Sequence, residues 1–172
     1  MSSCCAPTCC SPAVPDRLPV AVIGAGPVGL AASAHLLARG LESVILEAGS
    51  EVGTLARAWG HVRMFSPWRY DTDKAAVAML KAAGWRAPDA DAFPTGTDLV
   101  EGYLKPLAGL PEIAAGLRLN ARVTAVARSG GGRAEEFVDF FLGRWSVQFE
   151  DAVGQRRIQH RRADGMPVQA TF

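Results

Sequence analysis

The sequence predicts an α/β fold built on a parallel sheet, and three observations carry that expectation. An apolar run, Val20-Ala21-Val22-Ile23, leads into Gly24-Ala25-Gly26-Pro27-Val28-Gly29, then an alanine-rich stretch to Arg39-Gly40, then Val44-Ile45-Leu46 ending at Glu47. This reads as strand, glycine turn, helix, strand, acid, a βαβ unit. Farther on, Ala76, Met79, Leu80 and Ala83 recur at helical spacing between Thr72 and Gly84, with Lys74 and Lys81 off the stripe. Finally, Leu117 to Ala127 alternates apolar and polar residues, and Trp145 to Glu150 and Arg157 to Gln159 read as a hairpin joined across Ala152-Val153-Gly154.

In chain order, the first strand is expected over about 18–23 and the first helix over about 27–39, with Gly40 as its C-cap. His35 reads as a helix-surface or packing residue. Between Ala48 and Tyr70 the pattern turns irregular, with Arg57, Arg63, Arg69, Trp59 and Trp68. A long loop at this place in a compact domain usually carries function. Its arginines could pair with phosphate or substrate and its tryptophans could wall a ring system. The alternative is a surface loop with snorkelling arginines. Met79 belongs to the core. After a Pro88–Pro94 loop a second helix is expected near Asp98, with Glu101 three residues on as a reciprocal cap and Pro106 as a kink or break. The 117–127 alternation, which changes phase at Val126, predicts a strand beside the first two. Gly130-Gly131-Gly132 breaks the order, and His160 to Phe172 has no periodicity. The expected organisation is a disordered Cys-rich leader over 1–17, a partial nucleotide-binding domain over 18–159 and an irregular tail over 160–172.

The bulk numbers narrow the class. A chain of 172 residues that is 49% hydrophobic and 20% charged can bury one core. A net charge of +1 gives no electrostatic case for nucleic acid or an anionic membrane. No apolar run approaches the ~20 residues that span a bilayer. The N-terminus has neither the basic nor the apolar region of a secretory signal, so the cytoplasm is the default. All four cysteines fall in the first ten residues. A fold without disulfides suits a reducing compartment. Cys4, Cys5, Cys9 and Cys10 could converge three or four thiolates on a soft metal or metalloid such as arsenite. The spacing lacks the second half of a zinc pattern, and the plain alternative is a flexible tail.

The glycine turn carries the strongest functional signal. Gly24 permits a tight exit from the strand, Gly26 lets backbone approach a pyrophosphate, and Gly29 lets helix pack on sheet. The helix N-terminus, opened by Pro27, offers unpaired N–H groups to phosphate. Glu47, about 20 residues on, is placed to accept from a ribose 2′-OH. Its charge would repel a 2′-phosphate, which disfavours NADP here and leaves FAD or NAD; a motif near the chain start suits FAD. The fold class is therefore Rossmann-like, an FAD/NAD(P)-binding domain with a parallel sheet, a helical insertion and a C-terminal β-hairpin.

Residues 18–127 resemble the N-terminal part of FAD-dependent oxidoreductases of the flavin monooxygenase type. The matches are Val22 to Ala31, Leu46-Glu47-Ala48, and Ala58-Trp59-Gly60-His61-Val62-Arg63-Met64-Phe65-Ser66-Pro67-Trp68. The last block is similar to flavoproteins found with bacterial arsenic resistance, some with a cysteine-rich N-terminus. The resemblance implies that Gly24, Gly26 and Gly29 contact the FAD pyrophosphate, Glu47 the adenosine ribose and Val123 the adenine. Arg57 and Trp59 join the candidate cofactor set from the loop. It also implies a small-molecule substrate and NAD(P)H as electron donor. Family members continue into a strand ending Ala-x-Gly and a second glycine motif for NADPH, and neither follows Ile158 here, so the domain is expected to be incomplete. Two further readings stand beside the flavin oxidoreductase: a thiol protein that sequesters metalloid, and a truncated, inactive flavoprotein. No catalytic residue is assigned.

Overall fold

The computed structural model describes residues 19–129 and 144–159. The cysteine-rich leader, the triple-glycine run and the 160–172 tail lie outside the described residues. Strands β1 (Val20–Ile23), β2 (Ser43–Leu46) and β3 (Leu117–Arg118) form a parallel sheet in that order. Helix α1 (Pro27–Leu37) makes the crossover from β1 to β2; its C-cap is Ala38 and not the expected Gly40, which follows at a φ of 69° in the turn where the Leu41 N–H reaches the Leu36 carbonyl at 3.0 Å. Helices α2 (Thr54–Ala58), α3 (Trp68–Asp71) and α4 (Lys74–Ala82) follow β2. A long helical stretch then runs as α5 (Gly96–Leu99), a π-helical turn over Val100–Leu104, and α6 (Lys105–Ala108), with α7 (Pro111–Ala114) before β3. Strands β4 (Arg122–Ser129), β5 (Arg144–Asp151) and β6 (Gly154–Gln159) form a separate antiparallel sheet.

Strand alternation explains the layering. Val22 and Ile45 point to the helical side, where they meet Leu30, Ala34, Leu80, Leu104 and Ile113. Ala21, Val44 and Leu46 point to the opposite side and pack on Ala121, Val123, Val147 and Phe149. The parallel sheet is thus covered by helices on one face and by the antiparallel sheet on the other. No described helix is long and apolar enough to cross a membrane.

Several expectations change. The 117–127 segment is two strands, not one. It turns at Asn120, which has a φ of 54°, and the Asn120 and Ala121 N–H groups bond the Gly49 and Glu47 carbonyls at 2.9 and 2.8 Å. Only Leu117–Arg118 lies beside β2; the rest enters the other sheet, and its phase change falls between Val123 and Ala125. The supposed irregular loop over 48–70 holds α2 and the start of α3. The helix expected at Asp98 begins at Gly96, because Thr95 is its cap: Thr95 Oγ1 accepts from the Asp98 N–H at 3.1 Å while Asp98 Oδ2 accepts from the Thr95 N–H at 2.8 Å. Glu101 is drawn elsewhere, to Arg57 and Lys105.

Pro106 does not break the helix. It has no N–H to give the Gly102 carbonyl four residues back, and the Trp85 indole N–H takes that place at 2.9 Å. The π-helical turn just ahead of Pro106 accommodates the altered ladder.

Candidate dinucleotide site

The site grows from the end of β1. The Gly24 N–H bonds the Leu46 carbonyl at 2.8 Å, carrying the strand pairing into the turn. Gly24 adopts a φ of 92°, a conformation that glycine takes at little cost. Next, the buried Ala25 is tied at both ends of its backbone. Its N–H donates to Glu47 Oε2 at 2.7 Å, and its carbonyl accepts from the Gly53 N–H at 3.0 Å. The second Glu47 oxygen accepts from the Gly49 N–H at 2.7 Å. One carboxylate therefore joins the glycine turn to the loop after β2.

Beyond Ala25 the backbone opens. Gly26 caps α1 in extended geometry with no side chain bonded to the helix end, and Pro27 takes the first helical position. The N–H groups of Val28 and Gly29, in the first turn, have no helical acceptor by geometry. A Cβ placed on Gly26 would meet nothing within 4 Å, whereas one on Gly29 would lie 1.9 Å from the Gly24 carbonyl oxygen. Gly26 thus leaves room on the outer side of the turn, and Gly29 allows α1 to sit against β1. Val28, 82% exposed, flanks the opening. Orphan donors, a positive helix end and space for a group without a Cβ in the way suit a phosphate.

The remaining candidates follow along the chain. Arg57, on α2, pairs with Glu51 at 2.6 Å and with Glu101; Lys105 closes the cluster, 2.9 Å from Glu101 and 3.5 Å from Glu51. Hydrogen bonds from Arg57 and then Lys105 hold the Glu101 carboxyl below the usual range, and the bond to Glu101 raises Arg57 further. The other loop arginines are also engaged, Arg63 with the Phe93 carbonyl at 2.7 Å and Arg69 with Asp91. Trp59 stays 38% exposed above Gly96, where an added Cβ would lie 2.6 Å from its ring. Trp68 is buried in the helical core and cannot wall a ligand. Val123 is half-buried beside Leu46, the residue preceding Glu47.

The structure therefore brings Gly24, Gly26, Pro27, Gly29 and Glu47 to one place and links Arg57 to it through Gly53, whereas Trp59 packs over Gly96. Sequence reasoning missed the backbone ties that Gly49 and Gly53 make to Glu47 and Ala25. It also missed Glu51 and Glu101 as the partners of Arg57. His35, read as a helix-surface or packing residue, is exposed and ties α1 to the start of α4 through Asp73 Oδ2 at 2.9 Å. Cys4, Cys5, Cys9 and Cys10 lie outside the described residues, among which no group of three or more His, Cys, Asp or Glu could hold a metal.

Residues 19–139 match the profile of a family described as FAD dependent oxidoreductase. No curated protein matches the chain. Among solved structures, an oxidised steroid monooxygenase bound to NADP aligns with a TM-score of 0.58 and 23% identity, over 81% of this chain and 24% of the other. A bacillithiol disulfide reductase from Bacillus cereus gives 0.59 and 17%, over 82% of this chain and 36% of that one. An S-allyl-L-cysteine S-oxygenase from Allium sativum gives 0.55 and 17%, over 82% and 34%. The chain thus spans roughly a quarter to a third of these structures, and at such identities the likeness is one of fold.

Proposed function

Because the chain belongs to the FAD-dependent oxidoreductase family, we propose that its glycine turn and the start of α1 hold the pyrophosphate of FAD. The observation that carries this reading is the double tie on Ala25, which fixes the turn while the next N–H groups and the space at Gly26 stay open. A carboxylate has about four lone-pair sites, and Glu47 has spent one on each of two backbone N–H groups. It therefore keeps acceptor capacity for the adenosine ribose hydroxyls. Val123 borders the adenine, and Arg57 and Trp59 border the site from the α2 side. The residues that fit FAD bind and orient it; when bound, the flavin supplies the hydride and electron transfer.

The wider activity follows the same reading: redox chemistry on a small molecule, with NAD(P)H as electron donor, in the cytoplasm. The similar steroid monooxygenase is described with NADP, which supports a nicotinamide donor in proteins of this fold. A second activity, soft-metalloid binding at Cys4, Cys5, Cys9 and Cys10, is favoured by the confinement of every cysteine to ten residues.

The visible spectrum of the purified chain after incubation with FAD and gel filtration tests the first reading. Retained flavin with bands at about 375 and about 450 nm is the expected result. A colourless protein whose folded state leaves FAD fluorescence unchanged overturns it.

A further inference from the structure

We propose that Gly53, which lies outside the glycine motif, is a positioning residue for the dinucleotide turn. The proposal rests on the reading of that turn as the FAD site. Gly53 donates its N–H to the carbonyl of Ala25 at 3.0 Å, so it holds the residue immediately before Gly26. Ala25 is fully buried, and no water can take over the carbonyl without opening the turn.

Little room is left behind Gly53 by the helical layer. Its φ and ψ are 67° and 24°, in the left-handed region. A Cβ there would lie 2.8 Å from Leu104 Cδ1 and 3.0 Å from Val100 Cγ2. Both side chains are completely buried in the π-helical turn. An added methyl group is strained at this φ and must displace either these two core-packed side chains or the 49–53 loop, and dense core packing favours movement of the loop. That displacement draws the N–H off the Ala25 carbonyl and frees the Ala25–Gly26 peptide to rotate. Gly53 also caps α2 and its carbonyl accepts from the Arg57 N–H at 2.9 Å, so the same movement shifts Arg57. The positioning contact runs from Gly53 to Ala25 and so to the phosphate-facing N–H groups, while Leu104 and Val100 only limit the space behind Gly53.

The test is FAD titration by fluorescence quenching on the full chain, as wild type, Gly53→Ala, Leu104→Ala and the double variant, each with its thermal midpoint by circular dichroism. Gly53→Ala should raise the FAD Kd by at least about tenfold, the scale on which misplacement of a binding group acts. Leu104→Ala removes a buried side chain and should lower the midpoint more than Gly53→Ala does, yet leave Kd within about threefold, because Gly53 keeps its place. The double variant, with the closer wall removed, should recover most of the lost affinity. If Gly53→Ala fails to fold, the comparison runs between Leu104→Ala and the double variant, which should bind alike. The proposal is overturned if folded Gly53→Ala binds as wild type does, if Kd follows the midpoint across the series, or if the double variant folds without binding while Leu104→Ala binds. Failure of wild type to bind FAD instead overturns the FAD reading, and it is seen without any variant.

Discussion

Two glycines three residues apart should respond to the same methyl group in opposite ways. In Gly29→Ala the new Cβ would stand 1.9 Å from the Gly24 oxygen, 3.0 Å from the Gly24 carbonyl carbon and 3.4 Å from Val22 Cγ1. The two nearest atoms are Gly24 backbone, which cannot rotate away, so α1 must retreat from β1 by roughly an ångström. Overpacking of this kind costs about 1–3 kcal/mol, and backbone against backbone places Gly29→Ala at the upper end. For a domain of this size each kcal/mol moves the midpoint by roughly 2–4 °C, so a fall of about 6–12 °C is expected. Gly26→Ala meets nothing within 4 Å and has a φ of −85° that alanine accepts. Its cost is confined to the poorer capping preference of alanine, about 1 kcal/mol or less. In the proposed site, however, that methyl group occupies the approach of the pyrophosphate. Thermal melts and FAD titrations on the two variants should therefore separate: Gly29→Ala loses stability and binding together, while Gly26→Ala stays nearly as stable and loses binding. Equal melting of both variants, or undiminished affinity in Gly26→Ala, would refute the reasoning.

Other perturbations test the neighbouring contacts. Glu47→Gln turns an amide NH2 toward one of the two backbone N–H groups that the carboxylate serves; hydrogen bonds to a charged group are worth about 1.5–3 kcal/mol, so urea melts should show lower stability in addition to weaker FAD binding. Burial tends to raise the Asp73 carboxyl, but bonds from the Ala76 N–H, His35 and the Ala75 N–H outweigh it and hold its pKa below the ordinary value, while Tyr103 Oη accepts from the Asp73 N–H. A folded-state pKa below the unfolded value, about 3.9, gives stability that is present above pH 4 and lost as pH falls through the folded value. Asp73→Asn, which keeps a capping oxygen, should flatten that acid limb below about pH 4, and an unchanged limb rules the contribution out. Trp85→Phe leaves the Gly102 carbonyl without its donor and should cost about 1–2 kcal/mol; adding Pro106→Ala supplies a helical N–H and should return part of that loss in a double-mutant cycle. Deleting residues 1–16 should abolish arsenite binding, measured by equilibrium dialysis, and leave FAD affinity unchanged; retained arsenite binding would remove the thiol reading.

What was legible in the sequence is what local chemistry decides. The β1–turn–α1–β2 unit rests on a contiguous pattern in which each glycine has its own local or near-neighbour reason, and the structure places it as expected. The hairpin was legible for the same reason, since its partners are adjacent in the chain. The cap of the second helix was not, because two overlapping pairs with the same spacing, Thr95 with Asp98 and Asp98 with Glu101, compete for one role. In the structure Thr95 pairs with Asp98, and Glu101 pairs instead with Arg57, 44 positions away. Likewise the alternation from Leu117 to Ala127 is continuous in polarity, and only the Gly49 and Glu47 carbonyls, which take the N–H groups of Asn120 and Ala121, show why the chain changes sheets there. The 47–53 loop unites these cases. Glu47 and Gly53 hold Ala25 from either side, Gly49 and Glu47 turn the chain at Asn120, and Leu104 backs Gly53. A segment without periodicity of its own thereby fixes both the glycine turn and the exit from the parallel sheet. Its residues are set by partners far along the chain, so the part of the site that positions the turn is the part a linear motif leaves out.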